Sequence, residues 1–319
     1  MSVTLNGGVT FGGGLTLTAG PPPSGTQKAI FGYGQDSGSV LSMTNLVSNT
    51  GVVATNTTGV GTARKYLAAA GYGTDKAIFG YGTTSGVSQS VSVTNLVSNT
   101  GVVSTDTTGV GSARRGPAAS GYGTDKAIFG YGEDDTVGYV SVTNLVSNAG
   151  VVATNTTGVG TARTYLAAAG YGTDKAIFGY GFTGSVSSIT NLVSNTGVVA
   201  TDTTGVGTAR QALSAAGYGT GTAIFGYGIN SSGVAVSMTN LISNTGVVAT
   251  DTTGVGTSSN YRAAAGYGSD KAIFGYGSNN LGQFISITNL VSNTGVVATD
   301  TTGVGTAREG LAAAGYSTT

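Results

Sequence analysis

The sequence predicts an all-β fold, a six-bladed β-propeller with four antiparallel strands per blade. Three observations carry the prediction. Residues 67–82, LAAAGYGTDKAIFGYG, read as a tight hairpin: a small apolar strand, a Gly-Thr-Asp turn, then a hydrophobic strand that begins at Lys76. Near-copies start that second strand at Lys28, Lys126, Lys175, Thr222 and Lys271, at steps of 47 to 50 residues. Each step holds four short strand-like runs, the content of one antiparallel blade. Finally, one repeat is split between the chain ends. The first copy starts at Lys28 with no Leu-Ala-Ala-Ala run before it, and the last ends with an extra one, Leu311-Ala-Ala-Ala. Pairing of 311–316 with 28–33 would complete the first blade and tie the termini together. A solenoid has no reason to split a repeat in this way.

Composition sets the remaining bounds. The chain has 319 residues, of which 57 are Gly, and 39% are apolar. The apolar residues are periodic, so a packed core is expected despite the glycine content. Only 8% of residues are charged and the 13 basic and 13 acidic groups cancel, which argues against a nucleic acid or an anionic membrane recognised by charge. There is no Cys, hence no disulfide framework or thiol chemistry. No basic leader followed by an apolar run marks a signal peptide. No stretch has the apolar length needed to insert in a bilayer as a helix.

Along the chain, residues 1–27 form a Gly-rich arm outside the repeat. Val3, Leu5, Val9, Phe11, Leu15 and Leu17 alternate weakly with polar or Gly positions, and Pro21, Pro22 and Pro23 make a stiff spacer without sheet donors. Such an arm suits pairing with another chain or with the edge of the domain. The propeller is expected over 28–319. In the second repeat its four runs are 76–81, 90–97, 102–107 and, after Arg114, the run reaching Gly121-Tyr122. Asn99-Thr100-Gly101 turns the second run into the third. Radial packing would cover the strand edges. It would place the tiny Ala-Ala-Ala-Gly-Tyr runs nearest the crowded axis and the more polar 102–107 at the rim.

At these residues the chain resembles the kelch repeat. Arg114, the run 118–122, Thr124-Asp125 and the strand 126–132 match that pattern, and all six copies fit it. Gly-Tyr-Gly stands where the family has a Gly pair, and Val102 or Val103 where it has a Trp. Residues 277–283 are similar instead to the RCC1-type repeat. Both resemblances imply a propeller. The Gly-rich arm resembles segments of bacteriophage tail-fibre and other virion proteins. That implies a virion or extracellular setting, with other structural subunits as partners of the arm.

The chemistry expected is non-enzymatic. With no His and no Cys, the usual metal ligands and the commonest general base are missing, and Ser has no activating base. No catalytic residue, metal site or cofactor is expected. Glu133-Asp134-Asp135 is the one acidic cluster and reads as a solvated loop tip. The Gly-x-Gly strings lack the Lys-Ser/Thr and the helix of a phosphate loop.

Two sets of residues are candidates for binding. Arg64, Arg114, Arg163, Arg210 and Arg308 share one frame position, at which Ser259 breaks the series. They form either an anion-binding crown or an architectural ring bonded to main-chain carbonyls and neighbouring Asp side chains. The copies differ mainly after the second strand and just after the Arg, and antiparallel tracing puts both regions on one face. Tyr66, Arg115, Tyr139, Tyr165, Phe182, Tyr261, Arg262 and Phe284 are the tips expected to contact a partner there, a protein or a host-surface glycan. Drift in unconstrained loops would give the same pattern. The function expected is a recognition or structural module of a phage-like particle, or else a carbohydrate-binding propeller lectin.

Overall fold

The computed structural model describes residues 4–5, 9–10, 27–85 and 89–317. In the arm, Thr4–Leu5 pairs antiparallel with Val9–Thr10. Pro21, Pro22 and Pro23, and any partner of the arm, lie outside the described residues.

Regular structure among the described residues is all β, in many small antiparallel sheets. Six of these are three-stranded and share one plan, with an Ala-rich strand, a middle strand and a third strand. The Ala-rich strands are Ala68–Tyr72, Ala118–Tyr122, Ala167–Tyr171, Ser214–Tyr218, Ala263–Tyr267 and Ala312–Ser317. Their middle partners are Lys76–Gly80, Lys126–Gly130, Lys175–Phe182, Thr222–Gly226, Lys271–Gly275 and Gln27–Gln35, in the same order. The sixth pair unites the chain ends. Ala314 lies opposite Ile30 and Ser317 opposite Gln27, so Gln27 belongs to the domain rather than to the arm.

Burial explains why each run takes its place. In the middle strands Ala, Ile and Phe are consecutive and all fully buried, as Ala77, Ile78 and Phe79 are. A continuous apolar run of this kind is a strand covered on both faces, and burying each Ile and Phe contributes roughly 1.5–3 kcal/mol. The Ala-rich strands alternate buried with half-buried positions, so one side is packed and the other faces open space. Phe79 reaches the sheet before its own and meets Tyr33 edge-on at 5.1 Å; the same pair recurs down the chain and ends with Phe31 on Tyr276 at 5.2 Å. The Ala-rich strands also touch in series, 68–72 on 118–122 and so on to 312–317, which lies against 68–72 again. The contacts therefore return to their first member.

Tyr in each Phe-Gly-Tyr-Gly, at the end of the middle strand, has a left-handed backbone, φ 65° at Tyr33 and 63° at Tyr131, and a register shift marks this point in two of the sheets. That conformation costs about 1–3 kcal/mol per residue. Each Tyr is nevertheless fully buried against a Phe and an Arg, and its hydroxyl donates to a main-chain carbonyl, as Tyr33 does to Val60 O at 3.1 Å.

The third run of each repeat, 102–107 in the second, is not a continuous strand. It meets its neighbour at two isolated bridges, Val97↔Val103 and Thr94↔Thr107, with one extra residue on the outer side between them. The Asn95 amide fills the gap and donates to Ser104 O at 3.0 Å and to Asp106 Oδ1 at 2.8 Å. A β-bulge with a side chain inserted into the ladder interrupts pairing. Val103 packs into the core, whereas Val102 is exposed.

Candidate functional site

The repeated Arg residues are interior groups. Arg64, Arg114, Arg163, Arg210 and Arg308 are all 0% exposed. Arg163 shows the full arrangement. Its Nε donates to Tyr180 O at 2.8 Å, Nη1 to Thr161 O at 3.0 Å and Nη2 to Asn191 Oδ1 at 2.7 Å, while the guanidinium lies 4.3 Å over the Tyr131 ring. Each Arg thus joins the Tyr of one sheet to the Asn of the next. No face of these guanidinium groups is open to an anion, and burial lowers their pKa values from the usual Arg range. Their carboxylate neighbours form a second inter-sheet link. Asp106 accepts from Thr62 N at 3.1 Å and Thr62 Oγ1 at 2.5 Å, and Asn56 donates to Thr306 Oγ1 at 2.8 Å where the first and last repeats meet.

Arg262, expected at a loop tip, is also interior at 4% exposure. Its guanidinium lies 4.1 Å over the Tyr227 ring and Nη2 donates to Asn289 Oδ1 at 2.8 Å. That is the slot the other repeats fill from the frame position three residues earlier, where this repeat has Ser259. Arg262 Nη1 reaches back to within 3.4 Å of Ser259 Oγ. The sixth Arg is therefore displaced along the chain rather than lost. A long side chain near the broken frame position was its signal in the sequence.

Tyr66, Tyr165 and Tyr261 are not free tips either. They converge on one another, with ring centroids 5.0–5.5 Å apart, and are half-buried. The frame position they occupy reads Tyr66, Gly116, Tyr165, Ala212, Tyr261, Gly310, large alternating with small. The space explains the alternation: a Cβ on Gly310 would meet Tyr66 at 2.9 Å and one on Gly116 would meet Tyr165 at 3.0 Å. All six residues have left-handed backbones, and their amides form a hydrogen-bonded cycle. Tyr66 N donates to Gly310 O, Gly310 to Tyr261, Tyr261 to Ala212, Ala212 to Tyr165, Tyr165 to Gly116 and Gly116 to Tyr66, over 2.7–3.1 Å. The next residues, Leu67, Pro117, Leu166, Leu213 and Leu311 with Arg262, surround a small cavity of about 70 Å³ directly below. Burial, then the Glu309 carboxylate beside it, pushes the Tyr66 hydroxyl well above the ordinary tyrosine range.

Around this plug the loops are tied to each other. Arg115 is 8% exposed and holds Glu133 Oε1 at 2.5 Å and Asp135 Oδ1 at 2.6 Å. Asp135 in turn accepts from Ser90 N and Oγ of the preceding loop. Tyr139 and Phe182 pack edge-on at 5.9 Å, and Phe284 is half-buried, bridging to Ser278. Asn280 is paired with the backbone of Ala235. Beside small exposed polar residues such as Ser231 and Ser232, these loops hold three large apolar side chains out to solvent: Val137 at 72% exposure, Leu281 at 81% and Val234 at 47%. Sequence reasoning passed over them in favour of aromatic and Arg residues, which packing had already claimed. Among the described residues no cluster of His, Cys, Asp or Glu has the grouping of a metal site, and no helix is long and apolar enough to cross a membrane.

Compared with known proteins, the chain matches no family model and no curated sequence.

Proposed function

We propose that the six sheets are the blades of a kelch-like or RCC1-like six-bladed β-propeller, and that it is a non-enzymatic recognition module of a virion or other extracellular particle. The cyclic series supports the architecture: Phe on Tyr, Arg between Tyr and Asn, and the closed amide cycle each run through six members. The outer segment of each blade is the bulged one. Within the recognition reading, the arm binds other structural subunits and the loop face binds a host-surface protein or glycan. Neither nucleic acid nor a membrane interior is a partner.

One observation carries the recognition reading. Copies that are otherwise near-identical differ on a single face, and on that face the loops hold Val137, Val234 and Leu281 out to solvent. Rigidly backed exposed apolar residues on variable loops are the composition of a contact surface. Against an enzyme stands the use already made of the acids, since Asp106, Asp202, Asp251 and Asp300 link sheets and Glu133, Asp135 and Glu309 brace loops.

The test is attachment by the particle that carries this chain. Val137→Asp together with Leu281→Asp alters only exposed positions, so the melting temperature should match the parent. Attachment to the host surface should fall at least tenfold. Attachment at the parent level would overturn the loop-face reading.

A further inference from the structure

On the side opposite the tyrosine plug the six Ala-rich strands enclose a cavity of about 350 Å³, bounded by the five hairpin turns, three of them Gly-Thr-Asp-Lys, and by Gln27 at the chain ends. The plug and the leucines beneath it close one end, so the cavity is a cup with a single mouth. Its wall at Gly71, Gly121 and their four equivalents is bare backbone. A Cβ on Gly121 would stand 3.2 Å from Gly71 O, and one on Gly315 would stand 2.9 Å from Gly266 O, so glycine favours this close approach of the strands. Each Ala-rich strand is paired on one edge only, which turns its remaining main-chain donors and acceptors toward the cup.

The mouth is a collar of ion pairs. Lys76, Lys126, Lys175 and Lys271 each hold the Asp one residue before, at 2.7–2.9 Å. In these four pairs the charges cancel; at the sixth position, where the chain ends meet, Gln27 stands in place of the Asp and lines the cup, while the Lys28 that follows it does not. An anion would have to displace a carboxylate already in contact with each ammonium, and a cation would have to displace the ammonium. A hydroxyl group accepts from the one and donates to the other while leaving the pair intact. In the fifth repeat the turn reads Gly-Thr-Gly-Thr, and Thr222 takes the Lys position with its hydroxyl turned to Tyr218 O at 2.7 Å. Two of the six positions thus lack the ion pair, Gln27-Lys28 and Gly221-Thr222, and only at Thr222 is the long side chain missing from the Lys position as well.

We infer that this cup binds a small neutral polyhydroxylated ligand, a terminal saccharide unit, with the rest of a longer glycan leaving through the gap at Thr222. The inference rests on the six-sheet ring and not on the loop face. It gives carbohydrate binding a specific place, built from residues that the repeats share.

Ligand-observed NMR on the full chain tests it, with D-glucose, D-galactose, N-acetyl-D-glucosamine, lactose and chitobiose as probes, and phosphate and citrate as anionic controls. At least one sugar should bind, and Lys126→Met with Lys175→Met should weaken it tenfold or more at unchanged melting temperature. Thr222→Lys should weaken the disaccharide tenfold and leave its monosaccharide within twofold. Val137→Asp with Leu281→Asp should bind sugar as the parent does, which separates failure here from failure of the loop-face reading. No binding by any sugar, tighter binding of phosphate or citrate, or parent affinity in the Lys126/Lys175 variant would overturn the proposal. Equal loss of both sugars in Thr222→Lys would overturn the exit path.

Discussion

The displaced arginine offers a direct measure of how the sheets are joined. Arg262→Leu removes a guanidinium that lies over Tyr227 and bonds Asn289, a side chain with no exposure. Loss of a charged hydrogen bond is worth about 1.5–3 kcal/mol, and a desolvated cation–π contact about 2 kcal/mol. Leu is well accommodated beside Leu213 and Leu311, which offsets part of the loss. The expected destabilisation is about 3 kcal/mol. Adding Ser259→Arg restores the pattern of the other repeats, in which Arg210 reaches Tyr227 O, Thr208 O and Asn240 from the frame position. The double variant should regain the parent stability or exceed it by about 1 kcal/mol, since the Nε of Arg262 has no partner and that of Arg163, Arg210 and Arg308 at the frame position does. Urea unfolding of parent, both single variants and the double variant gives the coupling energy. A single Arg262→Leu variant as stable as the parent would refute the reasoning. So would a double variant no better than the single one.

Other consequences follow from the same geometry. Arg163→Ala leaves Tyr180 O and Asn191 Oδ1 buried without a donor and should cost about 3–5 kcal/mol in urea unfolding. Tyr66→Ser, Tyr165→Ser and Tyr261→Ser combined should cost roughly 3–5 kcal/mol, because three mutual ring contacts and their burial are lost; freely exposed tips would cost almost nothing. Alkali should unfold the protein in a defined window. Burial, opposed by Arg64 and Arg210, pushes Tyr33 and Tyr180 up to about 12 from an ordinary 10.0, so stability is full below pH 10 and falls as the pH rises to 12. Absorbance at ~295 nm should show their ionisation only together with unfolding. On the acid side, burial raises Asp106 and Asp202 but the bonds from Thr62, Asn95, Thr161 and Asn191 outweigh it. These lowered carboxyls stabilise above the unfolded value near 3.8 and lose that effect as the pH falls through the folded value.

What the sequence made legible was the part that repeats. The hairpin 67–82, the split repeat and the middle strands could be read because Ala-Ile-Phe recurs in a fixed frame and apolar runs covered on both faces have a clear pattern. The outer run was misread as a strand. Val102, Val103 and Thr107 have strand-forming side chains, and the insertion of Asn95 into the ladder depends on a contact from another strand. The tyrosines were misread for a different reason. Tyr66, Tyr165 and Tyr261 vary between copies as loop residues do, but at a centre where six sheets converge one large side chain excludes its two neighbours. Variation there records crowding, and the alternation with Gly116, Ala212 and Gly310 was its trace. Arg262 was hidden because its role is defined by the slot it fills and not by its frame position.

The central claim is that the first and last repeats close one ring. Gln35 and Glu309 face each other across an antiparallel bridge with reciprocal amide bonds of 2.9 and 3.0 Å. Such a pair has Cα atoms about 5.5 Å apart, within the span of a disulfide. The chain has no Cys of its own, so Gln35→Cys with Glu309→Cys introduces the only two thiols. Mild oxidation of a dilute sample, followed by non-reducing electrophoresis and mass spectrometry, reads the outcome. Closure predicts a monomer that loses two hydrogen atoms to the oxidant, runs faster when denatured and carries a bond joining peptides from the two ends. Free thiols, or disulfides that form only between molecules, would contradict it.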